Sequence, residues 1–175
     1  MATQVEPRER LQPALLDRLT DDSPTNRSES ETQRVMSKTQ LRQAVLRDLS
    51  WLFNATQPID DVASNYPALA DSVLNFGLPP MSGQLASKID IGVLERAIRD
   101  CILHFEPRLL AQSLQVKALE SSSVLDTHNL IEFEIRGHLW AQPVPLEVLL
   151  RTRLDLEAGL VEVRDAAAAP VSRVR

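Results

Sequence analysis

Phe105-Glu106-Pro107-Arg108-Leu109 is the stretch on which the fold turns. Before it, Ile91, Leu94, Ile98, Cys101, Ile102 and Phe105 recur at helical spacing, which predicts a helix over residues 91–105 with one apolar face. Asp90 stands where an N-cap carboxylate accepts a first-turn amide. Pro107 disfavours α conformation at Glu106 and brings no amide donor of its own, so the helix ends at this corner. After it the hydrophobic period drops to two. Leu114–Ala118 reads as a strand, and Ile131-Glu132-Phe133-Glu134-Ile135-Arg136-Gly137-His138-Leu139 alternates as a strand with one wet face does. Val148–Leu156 alternates again, and Glu157-Ala158-Gly159 turns the chain into Leu160–Val163.

Upstream, Leu41, Val45, Leu49 and Leu52 predict a first long helix over about residues 39–53, with Arg42, Arg47 and Asp48 on its surface. Ser37 and Gln40 have the spacing of a capping box, and Met36 and Leu41 that of a hydrophobic staple across it. Residues 54–90 are broken by Pro58, Pro67, Pro79, Pro80, Gly77 and Gly83, which predicts a long irregular connection with a short ordered piece around Ala68–Phe76. Loops of that length in a compact domain are usually functional or pinned to a neighbour. Helices followed by consecutive antiparallel strands give an α+β class, with N-terminal helices packed on a small C-terminal sheet of three to four strands. The expected organisation is a polar arm over 1–36 containing a short docking helix on Leu11, Leu15, Leu16 and Leu19, one domain over 37–165, and a frayed tail over 166–175.

Composition narrows the function. The net charge is −5 with no basic block, which argues against nucleic acid, because phosphate neutralisation needs a clustered basic face. A single cysteine, Cys101, excludes an internal disulfide framework. No apolar run approaches the roughly 20 residues of a membrane span. The first ten residues lack a signal-peptide core, so a cytoplasmic protein is expected and the Asn-X-Thr/Ser patterns at Asn26 and Asn54 are chance matches.

Catalytic constellations are weak. A glycosidase needs two carboxyl groups roughly 5–9 Å apart, one of them protonated. The candidates are Glu106, Glu132 and Glu134, but Arg108 favours a charged carboxylate at the first and the other two fall on the wet strand face. Cys101 and His104 are three apart on one helix, a pair that is far more often packing than a nucleophile and its base. Neither they nor His128 and His138 have metal-ligand spacing, and the isolated glycines build no phosphate loop. Local chemistry leaves the Glu106-Pro107-Arg108 corner open between a structural joint and a partner site.

Four blocks in order make the chain resemble the TssE family, the small wedge subunit of type VI secretion baseplates, related to the short baseplate wedge protein of contractile-tailed phages. They are Leu15–Asp22, Leu41–Asn54, Ser72–Gly83, and Phe105–Leu109 with Pro143–Leu146 and Arg151–Leu156 downstream. The resemblance implies a non-enzymatic part without a cofactor or metal. It implies assembly with TssF and TssG near TssK, in a cytoplasmic baseplate docked at the inner membrane. It also implies a starting layer for the TssB/TssC contractile sheath, whose arms add as strands to the subunit's sheet. Glu106, Pro107 and Arg108 are then the family's assembly motif. A lysozyme-like label attached to the related phage proteins gives a peptidoglycan glycosidase as the alternative function. An anti-adapter of the same fold gives a regulatory binding module as another, since fold alone does not settle function.

Overall fold

The computed structural model describes residues 11, 13–20, 25, 36–57, 66–70, 72–81, 89–119 and 130–166. Its helices are α1 (Leu15–Leu19), α2 (Lys38–Asn54), α3 (Pro67–Ala70) and α4 (Ile91–Phe105), with single 3-10 turns at Val73–Asn75 and Ala111–Ser113. The strands β1 (Gln115–Leu119), β2 (Leu130–Leu139), β3 (Leu146–Asp155) and β4 (Leu160–Asp165) form one antiparallel sheet in the order β1-β2-β3-β4. The class is α+β, as the change of period requires. Among the described residues no helix is long and apolar enough to cross a membrane.

Both long helices start by the predicted chemistry. Ser37 Oγ accepts from the Gln40 amide at 3.2 Å and Gln40 Oε1 accepts from the Ser37 amide at 2.9 Å, closing the capping box. Asp90 Oδ1 accepts from the Val93 amide at 3.1 Å. Leu41, Val45, Leu49 and Leu52 of α2, and Leu94, Ile98, Cys101 and Ile102 of α4, are buried against the inward row of the sheet: Val116, Phe133, Ile135, Leu139, Val148, Leu150 and Leu154. Met36 and Leu41, the staple pair, share this core. Each fully buried Leu, Ile or Phe here contributes about 1.5–3 kcal/mol, so the interlocking of two helices with one sheet face dominates the stability.

Register follows from the alternation. Ile131 lies opposite Leu154, Phe133 opposite Thr152 and Ile135 opposite Leu150, so the inward rows of β2 and β3 coincide. The β3–β4 turn is held by Asp155, whose Oδ1 accepts the Glu157 and Ala158 amides at 2.8 and 2.9 Å. Gly159 closes the turn at φ 66°, in the left-handed region that suits glycine.

Two expectations change. The N-terminal helix begins at Leu15, not Leu11, because Pro13 disfavours α conformation in the residue before it. Leu11 is instead buried in the core, where its carbonyl accepts the Met36 amide at 3.0 Å. Leu15, Leu16 and Leu19 are 72, 45 and 74 % exposed. Pro58 and Gly83 of the connection, His128, Asn26 and the tail beyond residue 166 lie outside the described residues. The expected ordered piece is present as α3 and the turn at Val73–Asn75.

Beyond that piece the connection is pinned to the body. The Leu78 amide donates to Ala55 O and the Gln57 amide to Leu78 O, both at 2.9 Å, which buries Leu78 beside the end of α2. Gly77, at φ 127°, makes this approach possible, since a Cβ there would lie 2.3 Å from Ala55 O.

Candidate functional site

The corner after α4 is built into the sheet. The Glu106 amide closes the last helical turn on Ile102 O at 2.8 Å, and Glu106 then leaves helical geometry at φ −123°, ψ 74°. Immediately afterwards Arg108 O accepts the Trp140 amide at 2.7 Å and the Leu110 amide donates to His138 O at 2.9 Å. Leu109 is thereby bridged to Leu139 at the far end of β2. Pro107 forces the change, and the pairing with β2 takes it up within two residues.

The two charges face inward and meet. Glu106 is 3 % exposed. Its Oε1 accepts from Arg108 Nε at 2.6 Å and from the Arg108 amide at 3.2 Å, and its Oε2 accepts from Arg108 Nη2. Arg108 Nη2 also donates to Asp48 Oδ2 of α2 at 2.6 Å. Asp48 Oδ1 accepts from Arg47 Nε at 2.9 Å, and Arg47 Nη1 reaches Asp17 Oδ1 of α1 at 2.7 Å. Arg47 also lies over the Trp51 ring, 5.2 Å from its centroid. Signs alternate along this chain of five side chains: Glu106, Arg108, Asp48, Arg47, Asp17. It ties the corner after α4 to α2 and α2 to α1.

Burial and partners compete in setting the charge of the cations. Burial pulls Arg108 down, but the hydrogen bonds and charges of Glu106, then of Asp48, outweigh it and hold the guanidinium above its usual pKa. Arg47 is raised chiefly by its hydrogen bond to Asp17, which outweighs its partial burial. Both guanidinium groups are thereby held in the cationic form. Arg108 Nη1 and Asp17 Oδ2 are buried without a hydrogen-bond partner, so the chain holds its members together without being fully satisfied.

This geometry bears on each residue considered for chemistry. Both Glu106 oxygens accept from Arg108, and the carboxylate is buried away from solvent. Glu134 pairs with Arg136 on its own strand at 2.7 Å, and Glu132 with Arg153 across the sheet at 2.9 Å. The Cys101 thiol donates to Gly77 O at 3.1 Å, and burial pushes its pKa up to about 12, far from a nucleophile's. His104 Nδ1 lies 3.2 Å from the Asp100 carbonyl of its own helix.

Arg47 and Asp48 are members that sequence reading left on the surface, and Asp17 was not singled out. The spacing held a signal for one of them. Asp48 is three residues after Val45 and four before Leu52, on the shoulder of the apolar stripe, where an unpaired carboxylate is costly. Asn54 and Glu95 also act where no motif marks them. Asn54 Nδ2 donates to Val161 O at 2.8 Å and its Oδ1 accepts the Val161 amide at 2.9 Å. Glu95 Oε1 accepts the Ala118 amide at 2.6 Å. Each caps one outer edge of the sheet.

The family model described as baseplate wedge protein gp25 matches residues 39–144, more than half of the chain. The match contains Arg47, Asp48, Glu106 and Arg108, and stops before β3. No curated protein and no solved structure matches the chain.

Proposed function

Because the chain belongs to the baseplate wedge protein gp25 family, a family of structural baseplate proteins, we propose that it is the TssE-type wedge subunit of a type VI secretion baseplate. It assembles with TssF and TssG near TssK, in a cytoplasmic complex docked at the inner membrane, and its sheet receives the first strands of the TssB/TssC sheath. The observation that carries this reading is the buried chain of charges. The Glu106-Pro107-Arg108 motif spends its functional groups on holding α4, α2, α1 and the sheet in one arrangement. Such a part serves as a rigid template, and its acid and base are paired with each other.

In this reading the motif acts on assembly by setting the relative positions of the surfaces around it. One of those surfaces is α1. Five residues form no stable helix alone, and the side chain of α1 that is mostly covered is Asp17, whose ion pair with Arg47 ties the helix to α2. The anchored helix presents Leu15, Leu16 and Leu19 outward to the wedge partners.

Deleting the gene and imaging fluorescent sheath tests the function. Sheath assembly is expected to disappear, and assembly at the normal frequency overturns the proposal. Co-purification tests the wedge surface: Leu15→Glu with Leu19→Glu is expected to reduce recovery of TssF and TssG at least tenfold without lowering the melting temperature.

A further inference from the structure

We infer that β4 is the edge that accepts the added sheath strand, and that the Asn54 side chain holds the place of that strand until it arrives. The inference rests on the strand-addition reading above and names its site. In an antiparallel sheet, successive residues of an edge strand point their amide and carbonyl alternately toward the neighbour and away from it. Asn54 bonds both groups of Val161, which therefore point outward, away from β3. Val163 has the same parity, so its amide and carbonyl also face outward, and among the described residues no group bonds them.

The Asn54 amide copies a peptide unit. Its Nδ2 donates to Val161 O while its Oδ1 accepts from the Val161 amide, the reciprocal pair that a residue of an added strand makes. Beside it lies a groove of about 610 Å³, lined by Ser50 and Asn54 of α2, by Leu160, Val161, Glu162 and Val163 of β4, and by Leu130, Arg153 and Asp155 of the neighbouring strands. Leu160, at its mouth, is 61 % exposed. An extended segment with apolar side chains at alternate positions fits such a place: main-chain bonds to Val163, a side chain over Leu160, and displacement of the Asn54 amide from Val161.

The opposite edge differs. On β1, among the described residues, Glu95 meets the Ala118 amide alone, and it does so with a carboxylate, which accepts hydrogen bonds but donates none. Exposed Lys117 adds a charge of the kind that discourages edge pairing. Glu95 thus blunts an edge, whereas Asn54 reproduces a partner.

Two variants block the β4 edge independently. Val163→Pro removes one outward amide and no ladder bond, the position at which an edge strand tolerates proline. Ser50→Trp fills the groove from α2 without touching the strand. Val116→Pro is the matched change on β1. Each full-length variant is checked by thermal melting, by recovery of TssF and TssG, and by sheath foci in cells. The expected result is at least a tenfold loss of foci for Ser50→Trp and Val163→Pro, with wedge recovery intact and Val116→Pro near wild type. Asn54→Ala, which removes the competitor, is expected to raise binding of purified TssB/TssC several-fold. Loss with Val116→Pro, while folded Ser50→Trp assembles normally, overturns the assignment of the edge and leaves strand addition standing. Normal foci in all three variants overturn strand addition itself. If Val163→Pro does not fold, Ser50→Trp alone decides.

Discussion

The charged corner and the outer face of the sheet use the same residue types to opposite ends. At the corner, Glu106 is 3 % exposed and its partner Arg108 22 %. On the sheet, Glu132 is 44 % exposed and Arg153 52 %, while Glu162 and Arg164 are 51 and 70 % exposed. All three pairs are close, but at the corner Arg108 Nε and Nη2 bond separate oxygens of Glu106, whereas in each sheet pair Nε and Nη2 share one carboxylate oxygen. Solvent separates the two regions further. Water and salt screen the sheet pairs until they are worth about 0–1 kcal/mol. At the corner, removing one partner strands the other in a poorly solvated place, which costs about 3–5 kcal/mol. A glutamate and an arginine next to a proline become architecture because the fold buries them.

The largest expected effect follows directly. Arg108→Ala leaves Glu106 buried and unpaired and is expected to cost about 3–5 kcal/mol by urea titration. Glu106→Ala is expected to fall in the same range, and a change below 1 kcal/mol in both would put the corner in the same class as the sheet face. Arg108→Lys keeps the charge and loses the fork that spans Glu106 and Asp48, so about 1–3 kcal/mol is expected, together with weaker sheath assembly.

Cys101 sharpens the comparison with pH. Burial holds its folded pKa at about 12 against an ordinary 9.0, so above pH 9 the unfolded chain gives up this proton and the folded chain does not. The stabilisation is complete below the unfolded value and is lost as pH rises toward the folded one, at about 1.4 kcal/mol per pH unit. Melting curves between pH 8 and 11 are expected to fall more steeply for the wild type than for Cys101→Ala. Parallel slopes would show that the thiol is hydrated. The smallest effect belongs to the sheet face, where Arg153→Ala is expected to change stability by under about 0.5 kcal/mol and to lose even that in 1 M salt.

How much of this was legible depends on the range of the interaction. The α4 boundaries, the capping box and the alternation of β2 were readable because each rests on neighbours a few residues away. The partner of Arg108 was readable in part: Glu106 is two residues off, but Asp48 is sixty positions away and Asp17 further still. Leu15, Leu16 and Leu19 show another limit. Their spacing marks a helix with an apolar face, yet spacing carries no information about what that face meets, and among the described residues it is largely exposed. Asn54 matched a glycosylation pattern that its hydrogen bonds to Ser50 and Val161 make irrelevant.

By itself, the sequence determined the class, the helix starts, the corner at Pro107 and the faces of the strands, because hydrophobic period, capping and proline sterics act locally. The tertiary structure alone decided that Glu106 points inward, that Arg47 and Asp48 link it to Asp17, and that Asn54 stands where another strand would pair. These are matters of burial and of contacts between distant segments. The free energy of a charge or an amide depends on what surrounds it, and only folding brings those surroundings together.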